Sequence, residues 1–253
     1  MNGHLAHHHP SRATGVYVGV SQLEYARISL ESGGGALNTY YATGAHLSVA
    51  SGRLSFTFGF KGPAMTVDTA CSSSLVTTHL AAKGLERGEC EAAASVGVNL
   101  TLVHSWTRAC LRAGMLSEVG RCKTLDASAD GYVRAEGVGA IMLALVHPAD
   151  QPAARQALAA ADDGNKALAW QSLVLLAGSS VNQDGRSSSL TAPNGPSQQE
   201  AVNATLRDGD LSAWQVSHLQ MHGTGRSGTS SLQIQSILGD GEFIAASAPH
   251  LTV

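Results

Sequence analysis

Strand-length apolar runs alternate with helix-like stretches along most of this sequence, and that alternation admits few solutions other than an α/β fold. The runs Gly15 to Val20, Ala64 to Thr69, Ala92 to Asn99, Gly137 to Val146, Leu173 to Ser180, Val216 to Met221 and Phe243 to Ser247 read as strands. Several are almost unbroken, the pattern of strands covered by helices on both faces. Helices are expected over Ser72 to Arg87, Leu102 to Ala113, Ala149 to Ala161, Pro196 to Arg207 and Ser231 to Leu238. Pro196 suits a first helical position, and Ser230 with Gln233 has the spacing of a capping box ahead of Leu232, Ile234 and Ile237. At 253 residues the chain can bury a core without disulfides or a metal.

Only 14% of the residues are charged while 43% are apolar, so the chain hides much of its surface internally or against a partner. Sixteen basic residues against 19 acidic ones leave a net charge of −3, which offers no electropositive footprint to nucleic acid or anionic lipid. The longest apolar run, Val138 to Val146, falls far short of the roughly 18 residues of a membrane span. A soluble, cytoplasmic protein is therefore expected. Residues 1–14 hold His4, His7, His8 and His9 without an apolar stretch, and read as a disordered leader rather than a signal peptide or a metal site. Cys71, Cys90, Cys110 and Cys122 include no C-x-x-C pair, so they read as reduced thiols, and one that matters would matter as a nucleophile.

Three polar, glycine-rich loops lie where strands end: Gly120 to Gly137, Val181 to Gly195, and Gly223 to Ser230. Chemistry in α/β proteins gathers at such loops. Cys71 lies between a buried strand and the helix that begins directly after it. Free backbone N–H groups at a helix start stabilise thiolate over thiol and can hold an oxyanion, so a lowered thiol pKa is expected there, with the Cys71 N–H as oxyanion donor. The alternative, a buried structural cysteine, fits poorly with the three serines that crowd the turn. A cysteine nucleophile needs a histidine partner. His46, His79, His104 and His147 fall in or beside helices or at a plain strand end. His222 instead ends an apolar strand and opens the loop Gly223-Thr-Gly225, although a surface turn histidine would look the same.

These residues match a family. Val67-Asp-Thr-Ala-Cys-Ser-Ser-Ser-Leu75 resembles the active-site segment of β-ketoacyl synthases, the condensing domains of type I polyketide and fatty-acid synthases. In the family's order stand Tyr41-Ala-Thr-Gly44, Gly52 to Gly59, Gly120 to Arg134, Ser180 to Ser187, Leu190 to Pro196 and His222-Gly-Thr-Gly225. The resemblance spans about Gly15 to Ile237. It implies an incomplete thiolase-like fold of layers α-β-α-β-α, with N-terminal-half elements over 15–150 and the start of a C-terminal half over 170–253. It also implies a homodimer, or a pseudo-dimer with another ketosynthase-like chain.

By that resemblance Cys71 accepts an acyl group from the phosphopantetheine arm of an acyl carrier protein, and a malonyl-type extender then undergoes decarboxylative condensation. His222 matches a histidine that polarises the extender's thioester. Thr224 matches a hydroxyl that helps hold the pantetheine arm, and Asn182, Asp184 and the Gly131 to Glu136 segment shape the pocket. The domain itself binds no cofactor or metal. Beside this reading stand a thiolase-fold acyltransferase or thioesterase that does not condense, and a non-catalytic partner subunit.

The sequence departs from the family at both ends, where an opening strand and helix, a lysine segment and a second histidine are expected but not found; His250 lacks that histidine's context. Arg226 stands where a small hydroxyl residue is expected, and would narrow the pantetheine channel or meet an acidic carrier. Glu136 is expected to be a buried carboxylate deprived of its lysine.

Overall fold

The computed structural model describes residues 13–31, 39–124, 126–146, 174–187, 194–216, 219–224, 234–237 and 242–247. The elements of the first half are β1 (Thr14–Gly19), α1 (Glu24–Glu31), α2 (Tyr41–Gly44), α3 (Leu47–Phe58), β2 (Ala64–Val67), α4 (Ser73–Glu86), β3 (Ala92–Asn99), α5 (His104–Arg112) and β4 (Gly137–Ala144). The second half supplies β5 (Leu175–Val181), α6 (Gly195–Asp208), β6 (Gln220–Met221), β7 (Ile234–Ile237) and β8 (Glu242–Ser247).

The first sheet has the order β2-β1-β3-β4, with β1 parallel to β2 and β3, and β4 antiparallel to β3. Strand β1 is buried along its whole length, as its unbroken apolar sequence requires of an internal strand. Tyr17 faces α4, where Gly84 leaves room for its ring: a Cβ on Gly84 would lie 2.4 Å from the phenol oxygen. Val16 and Val18 point to the other face by strand alternation, and α3 lies there, its Ser51 N–H bonded to Thr66, the residue beside Val18. The outer strand β4 leaves Val138, Ile141 and Met142 exposed.

The second sheet has the order β5-β8-β7-β6, with β5 and β8 parallel and the other pairs antiparallel. Helix α4 also touches β5 and β8 and so lies between the two sheets. Gly178 of β5 turns the opposite way, against Thr205 and Gly209 at the end of α6. The order of layers is thus α3, first sheet, α4, second sheet, α6. Across the α4 layer, His79 Nδ1 lies 2.9 Å from Ser179 Oγ, and Lys83 Nζ lies 2.8 Å from Asp208 Oδ1. Asp208 Oδ2 in turn accepts the Ser179 N–H at 2.9 Å, joining the two contacts into one clasp.

Helix α4 begins unusually close to the first sheet. Gly19 and Gly97 are register partners on β1 and β3, and both face its first turn. A Cβ on Gly19 would meet the Ser73–Ser74 peptide at 2.7 Å, and one on Gly97 would meet Ser74 Cβ at 2.8 Å. Only strand residues without a side chain allow that approach.

Several expectations are corrected. The first strand starts at Thr14, inside the segment 1–14 expected as a disordered leader. Of the strand expected over Val216 to Met221, the described residues are paired at Gln220 and Met221, and a 3₁₀ turn over residues 213–215, closed by reciprocal Ser212–Gln215 bonds, precedes it. Of the helix expected over Ser231 to Leu238, the described residues Ile234–Ile237 are instead strand β7, paired on both sides. A short apolar run cannot distinguish helix from strand by spacing, and here neighbouring strands decide. Helices α1 and α3 were not anticipated, since α3 mixes serine, glycine and threonine with its apolar residues. Strand β3 begins and ends where expected, and Pro196 occupies the first turn of α6, capped by Asn194. The helix expected over Ala149 to Ala161, His147, His250 and the Ser230–Gln233 cap lie outside the described residues.

Gly19→Ala should force α4 off the sheet. Loss of about 1–3 kcal/mol of stability is expected, read as a lower urea midpoint; an unchanged midpoint would contradict this packing.

Candidate active site

Cys71 occupies a 3₁₀ turn, Ala70–Ser72, that runs into α4. Ala70 is held at φ 55°, a left-handed conformation that a residue with a Cβ adopts only when its surroundings compel it. The surroundings are visible. Asp68 Oδ1 accepts the Ala70 N–H at 3.0 Å, and Ser73 Oγ accepts the Thr69 N–H at 2.9 Å while donating to the Ala70 carbonyl at 2.7 Å. Ser72 Oγ donates to the Thr69 carbonyl at 2.9 Å. The serines that crowd this segment therefore have assigned work: Ser72 and Ser73 lock the turn, and Ser74 rests on Gly97.

The thiol pKa is not lowered as expected. The protein massed around Cys71 desolvates the sulfur and raises its pKa above the ordinary cysteine value, although the residue itself is exposed. The N–H groups of Cys71 and Ser72 act in the opposite direction, as a helix start should, but they are the smaller effect. Tyr132 interacts electrostatically with this sulfur. Its hydroxyl is hydrogen-bonded with the Cys110 thiol, and its pKa is pushed up to about 12, first by desolvation and then by Cys110. The phenol is thus neutral near Cys71.

Tyr132 is fixed through its backbone, which donates to Met115 O at 3.1 Å and accepts from Ser117 N at 3.0 Å. Two residues on, Arg134 is anchored by buried Glu24 at 3.2 Å and by Thr107 at 2.7 Å. The other end of the same 120–137 loop reaches the second half of the chain. There the Thr124 hydroxyl donates to the carbonyl of Gly223, next to His222. His222 is exposed at the end of β6, Gly223 turns at φ 61°, and Thr224 is half-buried. One loop therefore touches both the Cys71 surroundings and the His222 turn.

The remaining candidates divide. Asn182 Nδ2 donates to the Ser197 carbonyl at 2.6 Å, while its Oδ1 is buried without an acceptor bond among the described residues. Asp184 accepts the Asn194 N–H at 3.2 Å, and its carbonyl accepts the Asn194 side-chain amide at 2.9 Å. Both residues are thus engaged in seating the start of α6. Glu136 is corrected: it is exposed, and its Oε1 accepts the Thr101 N–H at 2.8 Å and hydroxyl at 3.1 Å, so it is no orphaned buried charge. Arg226 lies outside the described residues, as do His4, His7, His8 and His9. Among the described residues no group of three or more His, Cys, Asp or Glu could hold a metal ion, and no helix is long and apolar enough to cross a membrane. Thr124 and the Tyr132–Cys110 pair gave no individual signal in the sequence, because their partners lie in other segments.

Comparison with known proteins points one way. The family model "Beta-ketoacyl synthase, N-terminal domain" matches residues 2–149, and "Beta-ketoacyl synthase, C-terminal domain" matches residues 173–237. Polyketide synthase GfsB of Streptomyces halstedii is 42% identical over 226 residues, 89% of this chain and 4% of that protein. Erythronolide synthase EryA2 of Saccharopolyspora erythraea is 41% identical over 213 residues, 84% of this chain and 6% of that protein. The ketosynthase from module 6 of the bacillaene synthase from Bacillus subtilis 168 superposes with a TM-score of 0.68 at 32% identity, covering 87% of this chain and 34% of that one. The chain thus spans a small fraction of the large synthases it matches and about a third of the solved ketosynthase. The thiolase-like α/β fold expected from the residues is the fold of that neighbour.

The raised thiol pKa has a kinetic signature. Alkylation of Cys71 by iodoacetamide, followed by peptide mass analysis, should rise with pH to a midpoint above the ordinary cysteine value of about 8.5. A midpoint near neutrality would show that the helix start outweighs desolvation.

Proposed function

The chain belongs to the β-ketoacyl synthase family, and on that premise we propose that it is a condensing domain of polyketide-synthase type, with Cys71 as nucleophile and His222 as electrophilic partner. The observation that carries the reading is the placement of Cys71 on a strained, serine-locked turn at the start of the central helix. In the first step the Cys71 sulfur attacks the thioester carbonyl of an acyl group on the phosphopantetheine arm of an acyl carrier protein. The new S–acyl bond forms, the bond to the pantetheine sulfur breaks, and the Cys71 proton leaves with the pantetheine thiol. The Cys71 N–H is assigned to receive the charge that gathers on the carbonyl oxygen. Because desolvation keeps the free thiol protonated at neutral pH, removal of this proton belongs to the substrate-bound state.

A malonyl-type extender then enters. Its carbon–carboxylate bond breaks with release of carbon dioxide, and the electron pair becomes an enolate. His222 donates to the enolate oxygen, which gains charge only as the reaction proceeds, so the bond favours the transition state over the substrate. The enolate carbon attacks the Cys71 thioester, a carbon–carbon bond forms, and Cys71 departs as thiolate. Thr224, Arg226 and Asn182 are assigned to the pantetheine channel, Asn182 chiefly by seating α6 beside it. A carrier protein and a second ketosynthase-like chain are the expected partners.

Incubation with an acyl-pantetheine thioester and then malonyl-pantetheine, followed by intact-mass and product analysis, tests this. A Cys71 adduct that converts into ketoacyl product is expected. His222→Ala should retain the adduct and lose product formation by about 10²-fold or more. A Cys71 adduct that only hydrolyses, or an adduct that persists in Cys71→Ala, would overturn the assignment.

A further inference from the structure

The 120–137 loop contains a second strained residue. Lys123 is held at φ 45°, in the left-handed region that favours glycine. The loop around it is built to sustain that conformation. Lys123 Nζ pairs with Asp130 Oδ1 at 3.0 Å and donates to the Ser128 carbonyl at 3.2 Å. The Lys123 carbonyl accepts the Asp126 N–H at 3.1 Å, and Asp126 Oδ1 accepts the N–H and hydroxyl of Ser128 at 2.7 and 2.8 Å. Thr124 lies inside the turn that these bonds close, directly after Lys123.

Thr124 is directed at one place. Its hydroxyl donates to the Gly223 carbonyl, and a Cβ on Gly223 would lie 2.9 Å from Thr124 Cγ2 and 3.1 Å from Oγ1. Gly223 has φ 61°, so neither its conformation nor its contact admits a side chain. The Gly223–Thr224 peptide, one residue beyond His222, is thereby clamped by a residue 99 positions earlier than Gly223 in the chain. Strain of this kind persists only where the surroundings over-determine it, and here it aims a hydroxyl at the turn that carries an imidazole.

We propose that Thr124, presented by the strained Lys123 turn, is a positioning residue that fixes the His222–Gly223 backbone and so sets the direction of the His222 imidazole. It touches no substrate. Its partner is the peptide beside the residue assigned to the decarboxylative step, so the inference rests on the condensing-domain reading for its catalytic consequence, though not for its structural one. The nucleophile has its own scaffold of Asp68, Ser72 and Ser73 and does not depend on Thr124.

The test compares wild type with Thr124→Val, which keeps the branched shape and removes the hydroxyl, and Thr124→Ser, which keeps the hydroxyl. Three quantities are read on the whole chain: acylation of Cys71 by an acyl-pantetheine, decarboxylation of malonyl-pantetheine, and amide exchange of Gly223 and Thr224. Thr124→Val should acylate within about twofold of wild type, decarboxylate roughly tenfold more slowly, and exchange the two amides several-fold faster. Thr124→Ser should restore decarboxylation and exchange protection. Unchanged decarboxylation and exchange in Thr124→Val would overturn the proposal, as would equal loss of acylation and decarboxylation, the mark of general destabilisation. If wild type fails to decarboxylate, the functional reading falls, and amide exchange alone still decides whether Thr124 holds the His222 turn.

Discussion

The approach of α4 to the first sheet governs this structure. Two glycines in register, Gly19 and Gly97, let the peptide at Ser73 and Ser74 rest where side chains would otherwise stand. Once the helix is seated that low, the chain from β2 has only Asp68 to Ser72 in which to turn, and a residue with a Cβ is forced to positive φ at Ala70. The serines follow from the same constraint. A turn this tight leaves backbone groups that helix and strand cannot satisfy, and short hydroxyl side chains satisfy them locally. What resembles a reactive-cysteine motif is, bond by bond, the solution to a packing problem.

The same seating surrounds the sulfur with protein. Desolvation raises the thiol pKa while the helix start lowers it, and the first effect is the larger. The neutral Tyr132 phenol beside the sulfur, bonded to Cys110 rather than to Cys71, adds bulk without adding charge.

Much of the architecture is legible in the sequence because unbroken or nearly unbroken apolar runs such as Val16–Val18 and Ala92–Val98 belong in internal positions whatever surrounds them. The candidate site rests on a different signal: Cys71 and His222 each stand where a strand gives way to glycine or serine, and that local pattern is written in adjacent residues. What escaped reading depends on partners distant in the chain. Helix α3 owes its place to β1 and β2, and β7 is a strand because β6 and β8 flank it. The sign of the Cys71 shift depends on desolvation by the folded protein, which adjacent residues do not reveal. Glu136 found Thr101, where the resemblance implied a buried carboxylate deprived of its lysine.

Two halves meet around α4, tied by the His79–Ser179 and Lys83–Asp208 clasp on one side and by Thr124 on Gly223 on the other. The central claim is that this junction brings the Cys71 turn and the His222 turn to bear on one thioester. A crystal structure of the chain with Cys71 covalently carrying an acyl-pantetheine mimic measures this most directly. The account predicts the carbonyl oxygen on the Cys71 N–H, with the pantetheine arm leaving past Gly223 and Thr224 and the His222 ring facing the site of the extender. An arm that leaves along another face, with His222 remote from the thioester, would contradict it.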